Sequence, residues 1–486
     1  MSSLYPTSAA TLPYDTANRQ GSPRVRPAWA LLGVVAGAVF AVLLVPDGGH
    51  YVPGALMPAG LALGVGLMFG PILSGMRDPG TAFRAEHVLM FGLLYWILID
   101  VIQGSVSYRL WDVSPETVQL AFFYTGLFAA FLWIGSALAS LMVSGPPVPR
   151  SGPDLGVRFL FVAGLACFVL GFAQAALTCR LSVGCVVDAL FRPRFEVPWF
   201  SGPGIKGLNQ VLLHLKYFGY LIPAILVALV SLERRISWRS VVLFPLAIAF
   251  MLLLLRDGGR KELGTVIGAA LLTWILLRPR RELRHYAFVV AAVAGLLMLM
   301  QVMVTWREVG VTRAFGGDQP APKVYRRLAI DWSFDWMAHA IEVVPQRAPH
   351  VGWNGIVYVL GYPIPRSVWP SKPPLHGIDL PRHIGREYGP RFSWNCSTVC
   401  DLYLIGGSPA VAIGGILYGF LANLASRLLF QPPSVRSRLL YAVVAMVLFL
   451  ALRTLIEFMV QGITVAALLG LFMFGSMLSR PRRIQA

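Results

Sequence analysis

Cations held close together on short, stiff backbone are the first feature of this 486-residue chain that suggests chemistry. In Arg256-Asp257-Gly258-Gly259-Arg260-Lys261, three cations share one turn. A second set stands in Gly361-Tyr362-Pro363-Ile364-Pro365-Arg366-Ser367-Val368-Trp369-Pro370-Ser371-Lys372-Pro373, where the prolines fix the backbone around Arg366 and Lys372. A guanidinium offers a planar fork and an ammonium a point charge, so rigid cations of this kind suit phosphate or diphosphate. Proton transfer needs a base within hydrogen-bond reach. His376, His383, Asp401 and Glu457 are the candidates, the histidines because imidazole changes charge near neutral pH. Asp100, Arg453 and Glu457 stand at the ends of apolar runs, and His214 and Lys216 lie inside one. Charge in such places is costly and usually functional, and the common depth of the five suggests a shared polar cavity.

The elements that must position these groups are membrane spans. Apolar residues make up 56% of the chain and charged residues only 13%, about half the share of a soluble domain. That excludes a disordered chain, a coiled coil and an ordinary cytosolic enzyme. Apolar runs near the ~20 residues needed to cross a bilayer occur at 27–45, 54–74, 87–104, 118–143, 157–177, 209–231, 240–255, 262–278, 285–304, 409–426, 439–456 and 461–478. The expected fold is therefore an all-α polytopic membrane protein of about twelve transmembrane helices. Residues 27–304 hold nine spans, 409–478 hold three, and short tails at 1–26 and 479–486 flank them. The first run is read as a retained span, not a removed signal peptide.

Charge then sets the orientation. With the N-terminus inside, the tails and inner loops hold 20 Lys and Arg, against eight in the short outer loops. The bias follows the positive-inside rule. It accounts for most of the +18 net charge, so nucleic acid is not implied as a partner. Both termini are expected in the cytoplasm. Cys179 and Cys185 then fall in one outer loop and Cys396 and Cys400 in another, all on the oxidising side. Disulfides within each loop are favoured, with a Cys185–Cys396 cross-loop bond as the alternative. Cys396 and Cys400 have the spacing of a metal pair, but no second ligand pair lies beside them in sequence, and no metal is expected.

Residues 305–408 form one long outer loop with eleven basic and eight acidic residues and six tryptophans. It is too aromatic for a disordered linker, and the expectation is a compact cap over the outer mouth of the bundle. Asp331–Val344 reads as a short amphipathic helix. From Pro345 to Pro374 seven prolines demand irregular backbone. The chain has no Asp-x-Asp, no Walker A motif, no G-x-S-x-G, and no metal-like histidine spacing. A metal-bound nucleotide sugar, ATP hydrolysis and that class of serine hydrolase are thus unsupported.

Ile364-Pro365-Arg366-Ser367-Val368-Trp369-Pro370-Ser371-Lys372-Pro373 resembles the Pro-Arg-x-x-Trp-Pro-x-Lys-Pro segment of bacterial oligosaccharide repeat-unit polymerases, the Wzy-type O-antigen polymerases. Asp401-Leu402-Tyr403-Leu404-Ile405-Gly406-Gly407 occupies the place of a second family element, with Asp401 where relatives carry Glu. Gly258-Gly259-Arg260 is similar to the family's Arg turn, and Tyr325-Arg326-Arg327 fits a basic pair early in the large loop. The resemblance covers roughly residues 256–415. It implies a GT-C-like, metal-independent, lipid-diphosphate-dependent glycosyltransferase in the bacterial cytoplasmic membrane, without a cofactor. The enzyme would polymerise undecaprenyl-diphosphate-linked oligosaccharides into O-antigen, capsule or exopolysaccharide. Membrane lipids surround it, and a chain-length regulator and a flippase are the expected protein partners. Arg260, Arg366, Lys372, Arg256 and Arg327 would bind diphosphate. Asp401, His383, His376 and Glu457 would supply the base, and Trp369, Tyr403, Asp100 and Arg453 would contact glycan. An O-antigen ligase, another lipid-linked glycan transferase and a polysaccharide or lipid transporter are the alternatives. The topology has a direct test. Reporters fused after Pro349 and after Pro481 should report opposite sides of the membrane, and a common side would overturn the assignment.

Overall fold

Glycines on facing helices bring the backbones of this protein into contact. The computed structural model describes residues 27–48, 51–105, 110, 113–143, 155–192, 208–233, 235–257, 259–278, 282–309, 327–328, 330–364, 368–373, 376, 378–385, 394–431 and 434–478. Among them there is no strand. In chain order the longer helices are α1 (Pro27–Leu43), α2 (Met57–Arg77), α3 (Ala85–Ile102), α4 (Pro115–Met142), α5 (Val157–Thr178), α6 (Val183–Phe191), α7 (Leu208–Gly219), α8 (Ile222–Glu233), α9 (Trp238–Arg256), α10 (Arg260–Leu277) and α11 (Leu283–Val309). Then follow α12 (Ser333–Val343), α13 (Trp353–Leu360), the single turn α14 (Leu380–His383), α15 (Ser397–Phe430), α16 (Val435–Ala451) and α17 (Leu455–Leu478).

Among the described residues nine spans are long and apolar enough to cross a membrane: α2, α3, α4, α5, the α7–α8 pair over Leu212–Glu233, α9, α11, α15 and α17. The protein is thus a polytopic membrane protein. The other three expected runs are also helices. α1 and α16 have only 17 residues each, and α10 opens on Arg260, Lys261 and Glu262.

α4 and α15 make the most extensive helix contact. A Cβ on Gly419 would sit 1.8 Å from the Leu132 carbonyl oxygen, and one on Gly135 would sit 2.1 Å from that of Ile416. Gly415-x-x-x-Gly419 is the small-residue pattern that lets membrane helices approach closely when no hydrophobic force separates protein from lipid. α15 has 34 residues, or roughly 50 Å at 1.5 Å per residue, which exceeds the bilayer core. It bends at Gly406 and at Gly407, where φ is +65°. The expected boundary of the outer loop at residue 408 thus falls inside a helix. Ser397–Ile405 forms a helical lead-in before the bend.

Described parts of the loop pack against the helices of the bundle. α12 was expected to be amphipathic, but every residue except Glu342 is buried. Phe334 packs on Phe122 of α4 with ring centroids 4.6 Å apart. A strap before α12 docks on the end of α3: Leu328 N donates to Gln103 Oε1 (2.7 Å), Arg327 Nη1 to the Gly104 carbonyl (2.9 Å), and Trp332 N to Asp100 Oδ2 (3.2 Å). Cys179 pairs with Cys185 and Cys396 with Cys400, each within its own segment.

Replacing Gly419 with Leu should overpack the α4–α15 contact and cost about 1–3 kcal/mol. Gly470 of α17 has open space around its Cα. Thermal unfolding in detergent should show a lowered midpoint for Gly419→Leu and an unchanged one for Gly470→Leu.

Candidate functional site

A cavity of about 960 Å³ lies between α2, α3, α10, α11 and α16. Along most of its length the wall is apolar, with Met68 and Ile72 from α2, Phe91 from α3, Leu272 from α10, Val293 from α11 and Met446 from α16. It follows α10 from Arg260 to Leu272, about 18 Å of helix axis. α3 bulges into a π turn at Leu94–Leu98, which places Tyr95 and Trp96 in the wall, and Trp96 Nε1 donates to the Phe449 carbonyl (3.0 Å). Bulges of this kind recur at functional sites because they re-aim side chains.

One end of the cavity is charged. Arg260, Lys261, Glu262, Asp331 and Arg453 line it, with Gln301 nearby. Arg260 and Lys261 begin α10, Asp331 ends the strap, and Arg453 stands in the turn between α16 and α17. Lys261 bonds Glu457, in the first turn of α17, and lies 3.5 Å from Glu262. Arg453 bonds Asp331 through Nε and reaches Glu457 Oε1 through Nη1 at 3.4 Å. Burial by itself would raise the Asp331 carboxyl, but the Arg453 guanidinium holds it below the usual carboxylate value. Three cations and three carboxylates therefore share one mouth.

Behind that mouth lies a polar layer that fixes the turn carrying Arg453. Asp401 Oδ2 accepts from Thr454 Oγ1 and from Leu455 N, each at 2.7 Å, and so caps the start of α17. Its other oxygen lies 2.6 Å from His376 Nδ1, and the His376 ring packs on Trp394 at 4.3 Å. Asn395 Nδ2 donates to the Arg453 carbonyl (3.0 Å), and Thr398 N to that of Leu452 (3.0 Å).

The residues singled out in the sequence separate accordingly. Arg260 and Arg453 line the cavity and Glu457 stands beside it. Asp401 and His376 are buried behind the turn, where they hold it in place. His383 is exposed at the end of α14. Arg256 is turned away from the cavity, donating to the Ala189 carbonyl (2.8 Å) and pairing with Asp257 at 3.1 Å. Lys372 is folded into its own segment, donating to the carbonyls of Tyr362 (2.8 Å) and Ile364 (3.2 Å) over the Tyr358 and Tyr362 rings. Arg366 lies outside the described residues. Trp369 bonds Ser371 and packs on Gly361. Tyr403 donates to the Val344 carbonyl (2.6 Å) and packs on Tyr124.

Of the five membrane-depth charges, Arg453 and Glu457 stand at the mouth and the other three have partners elsewhere. Asp100 holds Trp332, Lys216 pairs with Asp257, and His214 Nε2 donates to the Pro363 carbonyl (2.9 Å). Arg453 meets Asp331. Lys261, Asp331, Glu262 and the aromatic wall were missed as site residues. Lys261 was visible as part of the cationic turn, but Asp331 reaches the mouth only through the docked strap, which no local pattern reveals.

No protein-family model, no curated protein and no solved structure matches this chain, so the chemistry of the site carries any reading of function. Arg453→Gln should cost about 1–3 kcal/mol, because it leaves the half-buried Asp331 without its cation, while Glu457 keeps Lys261. Adding Asp331→Asn to that variant should recover part of the loss. Unfolding in detergent measures both, and equal stability of Arg453→Gln and wild type would refute the pairing.

Proposed function

We propose that the chain is a lipid-diphosphate-dependent glycosyltransferase that polymerises undecaprenyl-diphosphate-linked repeat units at the outer face of the bacterial cytoplasmic membrane. The observation that supports it is the joining of a long apolar cavity to a mouth bearing Arg260, Lys261 and Arg453. An isoprenoid tail suits the apolar length, and a diphosphate suits the cations at its end. The reading takes α1, α10 and α16 as further spans, giving twelve in a GT-C-like arrangement. Both termini are then cytoplasmic and the charged mouth faces outward.

On this reading the donor diphosphate draws cations from their carboxylate partners. As the sugar–oxygen bond breaks, negative charge grows on the diphosphate, and cations aimed there stabilise the transition state more than the ground state. Arg453 leaving Asp331 for the diphosphate removes the cation that lowers the Asp331 carboxyl, so Asp331 becomes more basic as the donor arrives. Asp331 then takes the proton of the acceptor hydroxyl. Glu457 keeps Lys261 in position, and Asp401, with His376 behind it, keeps the turn in position. Arg256 and Lys372, both turned to internal partners, serve the framework.

Arg260→Ala should reach the membrane in normal amount yet lower polymerisation by about 10²–10³-fold. A gel of surface polysaccharide should then show single capped units in place of long chains. Absence of any capped unit would indicate a ligase, and an unchanged ladder would place the diphosphate elsewhere.

A further inference from the structure

The densest set of metal-ligating atoms among the described residues lies outside the cavity, in the layer behind the mouth. Ligand atoms of His376, Cys396 and Asp401 all lie within 4.8 Å of one another, and all three residues are buried. Cys396 Sγ is 3.8 Å and His376 Nδ1 2.6 Å from the same oxygen, Asp401 Oδ1. Cys396, just before α15, is bonded to Cys400 in its first turn, and both are fully buried. In sequence this Cys-x-x-x-Cys has no second ligand pair beside it. The fold supplies one, with His376 arriving from the proline-rich segment and Asp401 from the next position of α15.

We propose that Cys396, Cys400, His376 and Asp401 form a zinc site when the Cys396–Cys400 disulfide is reduced, so that the disulfide and a zinc dithiolate are alternative states of one locus. A mixed set of two thiolates, one imidazole and one carboxylate fits the tetrahedral, borderline-soft preference of zinc. Zinc bonds of about 2.0–2.3 Å put neighbouring ligand atoms about 3.3–3.8 Å apart. The Cys396–Asp401 contact already has that spacing, and the His376–Asp401 contact opens by about 0.7 Å when metal replaces the shared proton. The second Asp401 oxygen keeps its bonds from Thr454 and Leu455, the outer-shell support that orients a ligating carboxylate.

The chemistry balances with a dithiol as reductant. The dithiol becomes a disulfide as the Cys396–Cys400 bond takes up two electrons and two protons. Zinc binding then releases both thiol protons, while the His376 proton moves from Nδ1 to Nε2 and stays on the ring. Since Asp401 also caps α17, the site is joined to the turn that carries Arg453.

The test uses the full chain in detergent with Cys179→Ser and Cys185→Ser, so that reduction opens only the Cys396–Cys400 bond. Protein treated with dithiothreitol, or expressed with it present, is equilibrated with zinc and desalted, and its metal content is measured by mass spectrometry. One zinc per chain is expected in the reduced protein and none in the oxidised protein. Cobalt in its place should give a thiolate charge-transfer band. His376→Gln should abolish retention. Thr454→Val, which leaves every ligand in place, should weaken it about tenfold while the protein elutes normally in size exclusion. No zinc in the reduced protein would overturn the proposal. So would zinc held equally by His376→Gln, which would mark an adventitious ion only, and so would a disulfide that the dithiol does not open. None of these outcomes bears on the lipid-diphosphate reading, whose readout is the polysaccharide ladder.

Discussion

The Lys261–Glu457 and Arg453–Asp331 pairs join four parts of the chain that are far apart in sequence: the start of α10, the strap before α12, the α16–α17 turn and the first turn of α17. Charges removed from water are costly unless they meet, and even a met pair adds little net stability compared with apolar residues of the same volume. Their value is in placement, because each charge is tolerable only where its partner stands. The surrounding polar contacts keep the partners there. Asp100 and Gln103 dock the strap that brings Asp331, while Asp401, Asn395 and Thr398 hold the turn that brings Arg453. These described segments therefore act as a brace for one charged mouth.

How much of this could be read from the sequence depended on the range of the interaction. Hydropathy is local, and each apolar run became a helix with ends shifted by a few residues. The run at 209–231 became two helices broken after Gly219, and the tenth run gained a helical lead-in from Ser397 to the bend at Gly407. Neighbouring cysteines found one another for the same reason of range. Long-range partners were not legible. Arg453 is flanked in sequence by nothing that names Asp331, and Asp100, equal in depth, was spent on a backbone amide. α12 carried a helical pattern, yet burial on every side depends on how closely α4 and α15 pack around it. Arg256 and Lys372 are cations in suggestive motifs that meet partners no motif announces: Arg256 the distant Ala189 carbonyl and Asp257, Lys372 the carbonyls of Tyr362 and Ile364.

The far end of the bundle shows the same rule without any cavity chemistry. Glu86, at the start of α3, is fully buried and accepts from Arg84 (2.9 Å), Ser136 (2.9 Å) and Ser426 (2.5 Å), with Asn423 at 3.4 Å. Arg84 directly precedes α3, Ser136 stands in α4 and Asn423 and Ser426 in α15, so one carboxylate fixes the register of three helices where Gly135 and Gly419 already bring two backbones together. A satisfied buried network of this kind rigidifies, whereas a half-satisfied one would be worse than an apolar core. Close glycine packing between α4 and α15 and buried polar locks at both ends leave the gap between α2, α3, α10, α11 and α16 as the open space.

The balance of charge at the mouth bears on what that space can hold. Arg260, Lys261 and Arg453 face Glu262, Asp331 and Glu457, so the cluster is close to neutral as it stands. A neutral apolar tail gains little from entering such a mouth, and a single weak anion gains too little to separate a cation from its carboxylate. A diphosphate carries enough charge to replace two partners at once, and each cation it takes leaves a carboxylate that must find a proton or a new donor. Under the proposed reading, that exchange links donor binding to the making of a base. On that reading the carboxylates stay held in ion pairs until a diphosphate draws their cations away.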